Sequence, residues 1–183
     1  TLSGGQYDHP HGVQFGGRHA SWSRCTVEQV WATHLAGAAH AVALDIHTGL
    51  GPLGRLTVFQ TADDHEPAAA LGTAWFPSWC YRSDRTRSVD HGLLGVGFDA
   101  WAALDPDRPS VATFVVEFGT YEPTGGATVF RADNWLHHHG DPTSALGAEV
   151  RSRMRDFFFV ADPAWRTDVA DQGLAALHAA LDG

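Results

Sequence analysis

The chain has 183 residues, of which 44% are hydrophobic and 18% charged, which is enough for one domain with its own core. Its 21 acidic residues outnumber the 12 basic ones, and the formal charge of −9 argues against a nucleic-acid partner or an anionic membrane surface. Because all the basic residues are arginine, P-loop and Schiff-base chemistry, which need lysine, are excluded.

The chain begins at Thr1 and its one methionine is Met154, so we expect a segment to be missing from the front. No run of residues approaches the roughly 18 apolar residues that a membrane span needs. Cys25 and Cys80 lack the spacing of a metal-binding or redox pair, and we expect both to be buried as small apolar side chains. A reduced, cytoplasmic setting is the expected compartment.

Residues 1–23 are rich in glycine, histidine and serine, and they predict an extended loop. Apolar residues at helical spacing start at Thr26, and Ser23 or Thr26 is placed to cap that helix. The apolar run AVALDI, residues 41–46, predicts a strand that is buried on both faces. Residues 47–52, HTGLGP, predict a turn or loop directly after it.

A second strand is predicted at 56–60, LTVFQ, followed by an Ala-rich helix that ends near Phe76. Residues 77–110 show few periodic signals. The run ATFVVEFGT, 112–120, predicts another strand, and three helices follow it at about 127–138, 144–159 and 163–181. Strands that alternate with helices indicate an α/β fold with a layered sheet that is at least partly parallel.

The end of the first strand carries the sharpest chemical pattern. Alternation along a strand places Asp45 and His47 on one face, and ligand sites in open α/β sheets gather at the carboxyl ends of strands. A neutral imidazole of His47 could ligate zinc while Asp45 fixes its tautomer and orientation. The same residues are also typical of a polar strand end that leads into a turn, and the spacing alone leaves both interpretations open.

Glu117 interrupts an apolar run, and a carboxylate is seldom buried without a partner. It is therefore expected to face a cleft, a metal or an arginine. As a general base it would take a proton from water and pass it to a leaving amine. As a structural residue it would form an ion pair with an arginine, and both interpretations stay open.

Other histidines are weaker candidates. His137, His138 and His139 end a predicted helix, where a solvated helix end is expected rather than a metal site. His9 and His11 lie in the glycine-rich loop, where a surface position is expected rather than a pocket. No G-x-S-x-G motif of a serine hydrolase is present.

Five segments together carry a family resemblance. They are DIHTGLGP at 45–52, VEFGT at 116–120, GQY at 5–7, the stretch Tyr7–Ser23 and RADNWL at 131–136. This set resembles the zinc carboxypeptidase superfamily, and most closely an uncharacterised bacterial branch known only as a domain of unknown function. The D-x-H-T signature also occurs in the succinylglutamate desuccinylase and aspartoacylase group.

The resemblance implies a three-layer α/β/α fold with a mixed, partly parallel sheet, of which this chain would be the C-terminal part. His47 matches the zinc ligand at a strand end. Glu117 matches the glutamate that activates water and then protonates the leaving nitrogen. Residues implied to support the zinc site or to border the substrate are Asp45, Thr48, Gly49 and Tyr121.

Two motifs of such enzymes do not occur in this sequence: the H-x-x-E pair that supplies the other zinc ligands, and the asparagine-arginine motif that holds a substrate carboxylate. A catalytic zinc needs three protein ligands, so the remaining ligands of Zn²⁺ are expected upstream of Thr1. The chain alone is therefore expected to bind zinc poorly and to be inactive.

Residues 1–183 are thus expected to be the C-terminal portion of a single domain. It would comprise an extended loop over 1–23, sheet and site segments over 24–122, and C-terminal helices over 123–183. The expected partners are a peptide or N-acyl amino acid substrate and the missing N-terminal half, or a second copy in a homo-oligomer. No nucleic-acid or membrane partner is expected, and the expected compartment is the bacterial cytoplasm.

The leading interpretation is a portion of a zinc-dependent amide or peptide hydrolase. One alternative is an N-acyl amino acid deacylase of the succinylglutamate desuccinylase and aspartoacylase type. Another is a non-catalytic member of the family that kept the scaffold as a binding module. A histidine-rich metal-binding protein is the third, and it predicts stoichiometric zinc uptake that survives His47→Ala.

Overall fold

The computed structural model describes residues 5–35, 38, 41–60, 67–78, 80–82, 111–120 and 125–182. In this part of the chain four strands form one sheet: β1 (Ala41–Leu53), β2 (Leu56–Gln60), β3 (Cys80–Arg82) and β4 (Val111–Gly119). The described helices are α1 (Trp22–His34), α2 (Pro67–Trp75), α3 (Gly126–His139), α4 (Ala145–Phe158) and α5 (Pro163–Asp182). None of these helices is long and apolar enough to cross a membrane.

The strands are ordered β1-β4-β2-β3, and the sheet is mixed. β1 runs parallel to β4, whereas β2 runs antiparallel to β4. β3 pairs with β2 in parallel. The predicted α/β class with a mixed, partly parallel sheet is therefore confirmed.

One face of the sheet carries the core. Alternate side chains of β4 contribute to it with two from β2, one after α2 and one from α5: Ala112, Phe114, Val116, Phe118, Leu56, Val58, Phe76 and Ala176. Each of them is at most 5% exposed. Because side chains alternate along a strand, Glu117 is directed to the opposite face.

Most elements agree with the sequence-based prediction. β2 occupies the predicted residues, β4 overlaps its predicted range, and α3, α4 and α5 begin and end within one residue of expectation. Capping explains where α4 and α5 begin, because Ser144 accepts a hydrogen bond from the backbone N–H of Gly147, and Asp162 accepts one from that of Ala164. The strand β3 was not predicted.

The prediction for the first strand is wrong at its end and in its burial. β1 does not stop at Ile46 but continues to Leu53, through the segment 47–52 that was expected to be a turn or loop. Gly51 has a φ of 103°, a backbone conformation that glycine adopts without strain, so the chain bulges there and remains paired. β1 is also the edge strand of the described sheet, with Ile46 63% exposed, so it is not buried on both faces.

The first helix also differs from the prediction. α1 begins at Trp22 rather than near Thr26, because the side chain of Ser21 caps it by accepting a hydrogen bond from the backbone N–H of Arg24 at 3.2 Å. Cys25 was expected to be buried, but it is exposed, since α1 contains no buried residue. The side chain of Cys80 lies outside the described part of the chain.

A methyl group on Gly119 is expected to destabilise the fold. A Cβ at this position would overlap the carbonyl oxygens of Gly51 and Pro52, which belong to the bulge of β1. We expect Gly119→Ala to lower the free energy of unfolding, measured by urea denaturation, by about 1–3 kcal/mol, the usual cost of overpacking. Gly125→Ala is the matched control, because a Cβ there meets no atom within 4 Å. Equal stability of the two variants would contradict the close approach at Gly119.

Candidate functional site

The parallel pairing of β1 with β4 places His47 directly beside Glu117. Neighbouring strands lie about 4.8 Å apart, and both side chains extend from the sheet face opposite to the core. Thr57 of β2 pairs with Glu117 from the other side. The Glu117 carboxylate is therefore flanked by polar residues on both neighbouring strands, and the residue is only 9% exposed.

Asp45 holds the imidazole ring of His47. The Nε2 atom of His47 lies 2.9 Å from Oδ2 of Asp45, and both side chains are about half exposed. This confirms that the two residues share one face of the strand. When Nε2–H donates to Asp45, the neutral ring carries its lone pair on Nδ1, and Nδ1 is then the atom that can bind a metal.

The carboxylates around His47 also set its charge. The hydrogen bond to Asp45 raises the pKa of His47 above its ordinary value; burial opposes this rise, and the charges of Asp45 and Glu117 add to it. Glu117 is thus close enough to act electrostatically on the imidazole. His47 keeps its proton to a higher pH than a free histidine does, and a metal ion must displace that proton to bind.

The bulge of β1 orients Glu117. The backbone N–H of Leu50 donates a hydrogen bond to Oε2 of Glu117 at 3.3 Å. Leu50 lies in the bulge between Gly49 and Leu53, both of which pair with Gly119. The segment that was expected to be a loop is therefore the one that positions the carboxylate.

Two threonines tie β1 and the end of β4 to the end of α4. The hydroxyl of Thr48 donates to the carbonyl oxygen of Phe158 at 2.7 Å, and that of Thr120 donates to the carbonyl oxygen of Phe157 at 2.8 Å. Thr48 was considered a residue of the zinc or substrate environment, whereas the role of Thr120 was missed. Its position directly after an apolar strand was the signal in the sequence.

The structure brings together Asp45, His47 and Glu117 of the predicted site residues. Gly49 is buried at the start of the bulge, and Tyr121 lies outside the described residues. Among the residues that the structure describes, no group of three or more histidine, cysteine or acidic side chains is placed to hold a metal ion.

The other candidate histidines lie elsewhere. His137 and His139, at the end of α3, are exposed, as expected for a solvated helix end, and His138 is half-buried. His137 and His138 also line a cleft whose other wall is the N-terminal loop. The ring of His11 stacks on that of His138 with centroids 4.7 Å apart, and the loop that carries it does border a pocket. His9 is exposed, as expected.

Removing the charge of Asp45 is expected to lower the pKa of His47. We expect the NMR titration of the His47 ring in metal-free Asp45→Asn to shift to lower pH, with the signal assigned by its loss in His47→Gln. Because the folded-state pKa is raised, Asp45 stabilises the fold fully below the unfolded pKa of about 6.5, and this contribution disappears as the pH rises through the folded pKa. The stability difference between wild type and variant should therefore shrink as the pH rises. An unchanged His47 titration in Asp45→Asn would contradict the pairing of His47 with Asp45. Asp171→Asn, which removes an exposed charge from α5, is the control and should leave the His47 titration unchanged.

Comparison with known proteins identifies a family without an assigned activity. The family model described as "Protein of unknown function (DUF2817)" matches residues 1–172. No curated protein and no solved structure matches the chain. The matched range contains every described strand and the whole candidate site, and the chain therefore belongs to the DUF2817 family.

Proposed function

We propose that this chain supplies a zinc ligand and a general base to a zinc-dependent amide or peptide hydrolase of the carboxypeptidase type. The observation that carries the proposal is the pairing of His47 with Glu117 on adjacent parallel strands, with Asp45 bonded to the imidazole. The resemblance of the segments 45–52 and 116–120 to the zinc carboxypeptidase superfamily supports it. In this proposal the other zinc ligands come from upstream of Thr1.

The donor chemistry of the site fits zinc. Imidazole nitrogen is a preferred zinc ligand, and Nδ1 of His47 has the lone pair when Nε2 donates to Asp45. A carboxylate that accepts from the second ring nitrogen is the usual support of a zinc-bound histidine. When bound, zinc would supply a Lewis acid that polarises the substrate carbonyl.

Glu117 performs the proton transfers in this proposal. The Leu50 amide orients its carboxylate, which accepts a proton from the water that attacks the carbonyl carbon. The same carboxyl group then donates that proton to the amide nitrogen as the C–N bond breaks. The products are a carboxylic acid and an amine, and the substrate of this first candidate is a peptide or a peptide-like amide.

The full-length protein that contains this chain is expected to show zinc-dependent amidase activity. His47→Ala and Glu117→Gln should each lower kcat/KM at least about a hundredfold, because each removes a group that acts in the reaction. Metal analysis should separate the two variants, since His47→Ala loses zinc and Glu117→Gln keeps it. His178→Ala, in α5, is the matched histidine control and should keep both activity and zinc. Full activity in Glu117→Gln would overturn the mechanism.

The D-x-H-T sequence at 45–48 also favours a second candidate, an N-acyl amino acid deacylase. The deacylase uses the same residues to cleave the same kind of C–N bond. Its substrate is an amino acid with an acyl group on its nitrogen, whereas the substrate of the first candidate is a peptide. Comparing kcat/KM for an N-acyl amino acid with that for a dipeptide distinguishes the two. A zinc-loaded protein that hydrolyses neither would instead favour the non-catalytic binding module.

A further inference from the structure

A cleft of about 370 Å³ lies between the N-terminal loop and α3, outside the site that contains His47. Residues 10 and 12–15 form one wall, and Met154 of α4 also lines it. Asn134 of α3 fastens the loop by donating from Nδ2 to the carbonyl oxygen of His11 at 2.9 Å. Two further hydrogen bonds stabilise the loop internally. Nε2 of Gln6 donates to the carbonyl oxygen of His9, and the backbone N–H of His9 donates to Oε1 of Gln6. The cleft is thus a built feature with two fixed walls.

The lining of the cleft combines apolar surface with polar groups. Phe15, Phe130 and Met154 are its large apolar residues, and Asp133 and His137 are among its polar ones. A cavity of about 150 Å³ is enough to bind benzene, so this larger cleft has room for a ring with a short substituent. Such a mixed lining is typical of small-molecule sites, in which a few polar groups fix the orientation of an apolar ligand.

Asp133 gives the cleft its charge. Within the described part of the chain, its carboxylate forms no ion pair or hydrogen bond. His138 lines the same cleft, and burial together with the nearby rings of His137, His11 and His139 lowers its pKa, which disfavours a positive charge on this ring. An unpaired carboxylate beside apolar surface favours a cationic ligand with an apolar body, because a charge-assisted hydrogen bond to the carboxylate then adds to the apolar contact.

We propose that this cleft binds a small organic cation, a primary ammonium group carried on an aromatic or aliphatic body. The apolar body contacts Phe130 and Met154, and the ammonium group donates hydrogen bonds to the carboxylate of Asp133. The proposal does not rest on the hydrolase function, because none of these residues belongs to the site around His47.

Met154 provides a probe inside the cleft, because it is the only methionine of the sequence. The protein, labelled with [methyl-¹³C]methionine, is titrated with benzylammonium chloride at neutral pH, and the Met154 signal is assigned by its loss in Met154→Leu. Benzyl alcohol, which has the same ring without the charge, is the matched ligand. We expect a saturable shift of the Met154 methyl signal with benzylammonium, and at least about tenfold weaker binding of benzyl alcohol.

Asp133→Asn, which removes the charge but keeps the shape, should weaken benzylammonium binding about tenfold and leave benzyl alcohol binding unchanged. Asp171→Asn removes an exposed charge from α5 and should bind both ligands as the wild type does. Equal affinity for the two ligands, no effect of Asp133→Asn, or no shift with either ligand would overturn the proposal. Saturation by Zn²⁺ without saturation by benzylammonium would also overturn it and indicate a metal site.

Discussion

The register between β1 and β4 is the constraint on which the candidate site depends. It aligns His47 with Glu117, and a shift of one residue would direct one of the two side chains to the core face. The register is fixed at its end by Gly119, which pairs with both Gly49 and Leu53 as β1 bulges. A side chain at position 119 would displace the bulge, and with it the Leu50 amide that orients the Glu117 carboxylate.

One face of β4 packs in the core, and this packing fixes the position of Glu117 on the other face. Val116 and Phe118, on either side of Glu117, are each 1% exposed and belong to the core. Because these neighbours are packed, the strand cannot rotate to move the carboxylate into solvent, although burying it is costly. The indole N–H of Trp165 donates to the carbonyl oxygen of Gly119 at 2.9 Å, so α5 also fixes this strand end. Packing of the core thus keeps the Glu117 carboxylate in a buried position that the cost of its desolvation would otherwise oppose.

The sequence predicts the local features of this structure better than the non-local ones. Alternation correctly places Asp45 and His47 on one face, because that depends only on the strand that carries them. The glycines and the proline of 49–52 are typical of a turn, and only pairing with β4 keeps that segment in the sheet. The position of β1 at the edge of the described sheet and its pairing of His47 with Glu117 both depend on strands that are distant in the sequence. A local sequence pattern therefore cannot predict them.

The end of α4 links the candidate site with the cleft beside α3. The carbonyl oxygens of Phe157 and Phe158 accept hydrogen bonds from one threonine hydroxyl just after β4 and one within β1. The rings of the same two residues pack against Phe130 at 6.1 and 5.8 Å between centroids. Phe130 in turn lines the cleft. The two regions are therefore joined by aromatic packing, yet they share no charged residue. Substituting Asp133 changes the charge of the cleft, and substituting Glu117 changes the charge of the candidate site. Neither substitution removes an aromatic ring that connects the two regions, so the chemistry of each region can be assigned separately.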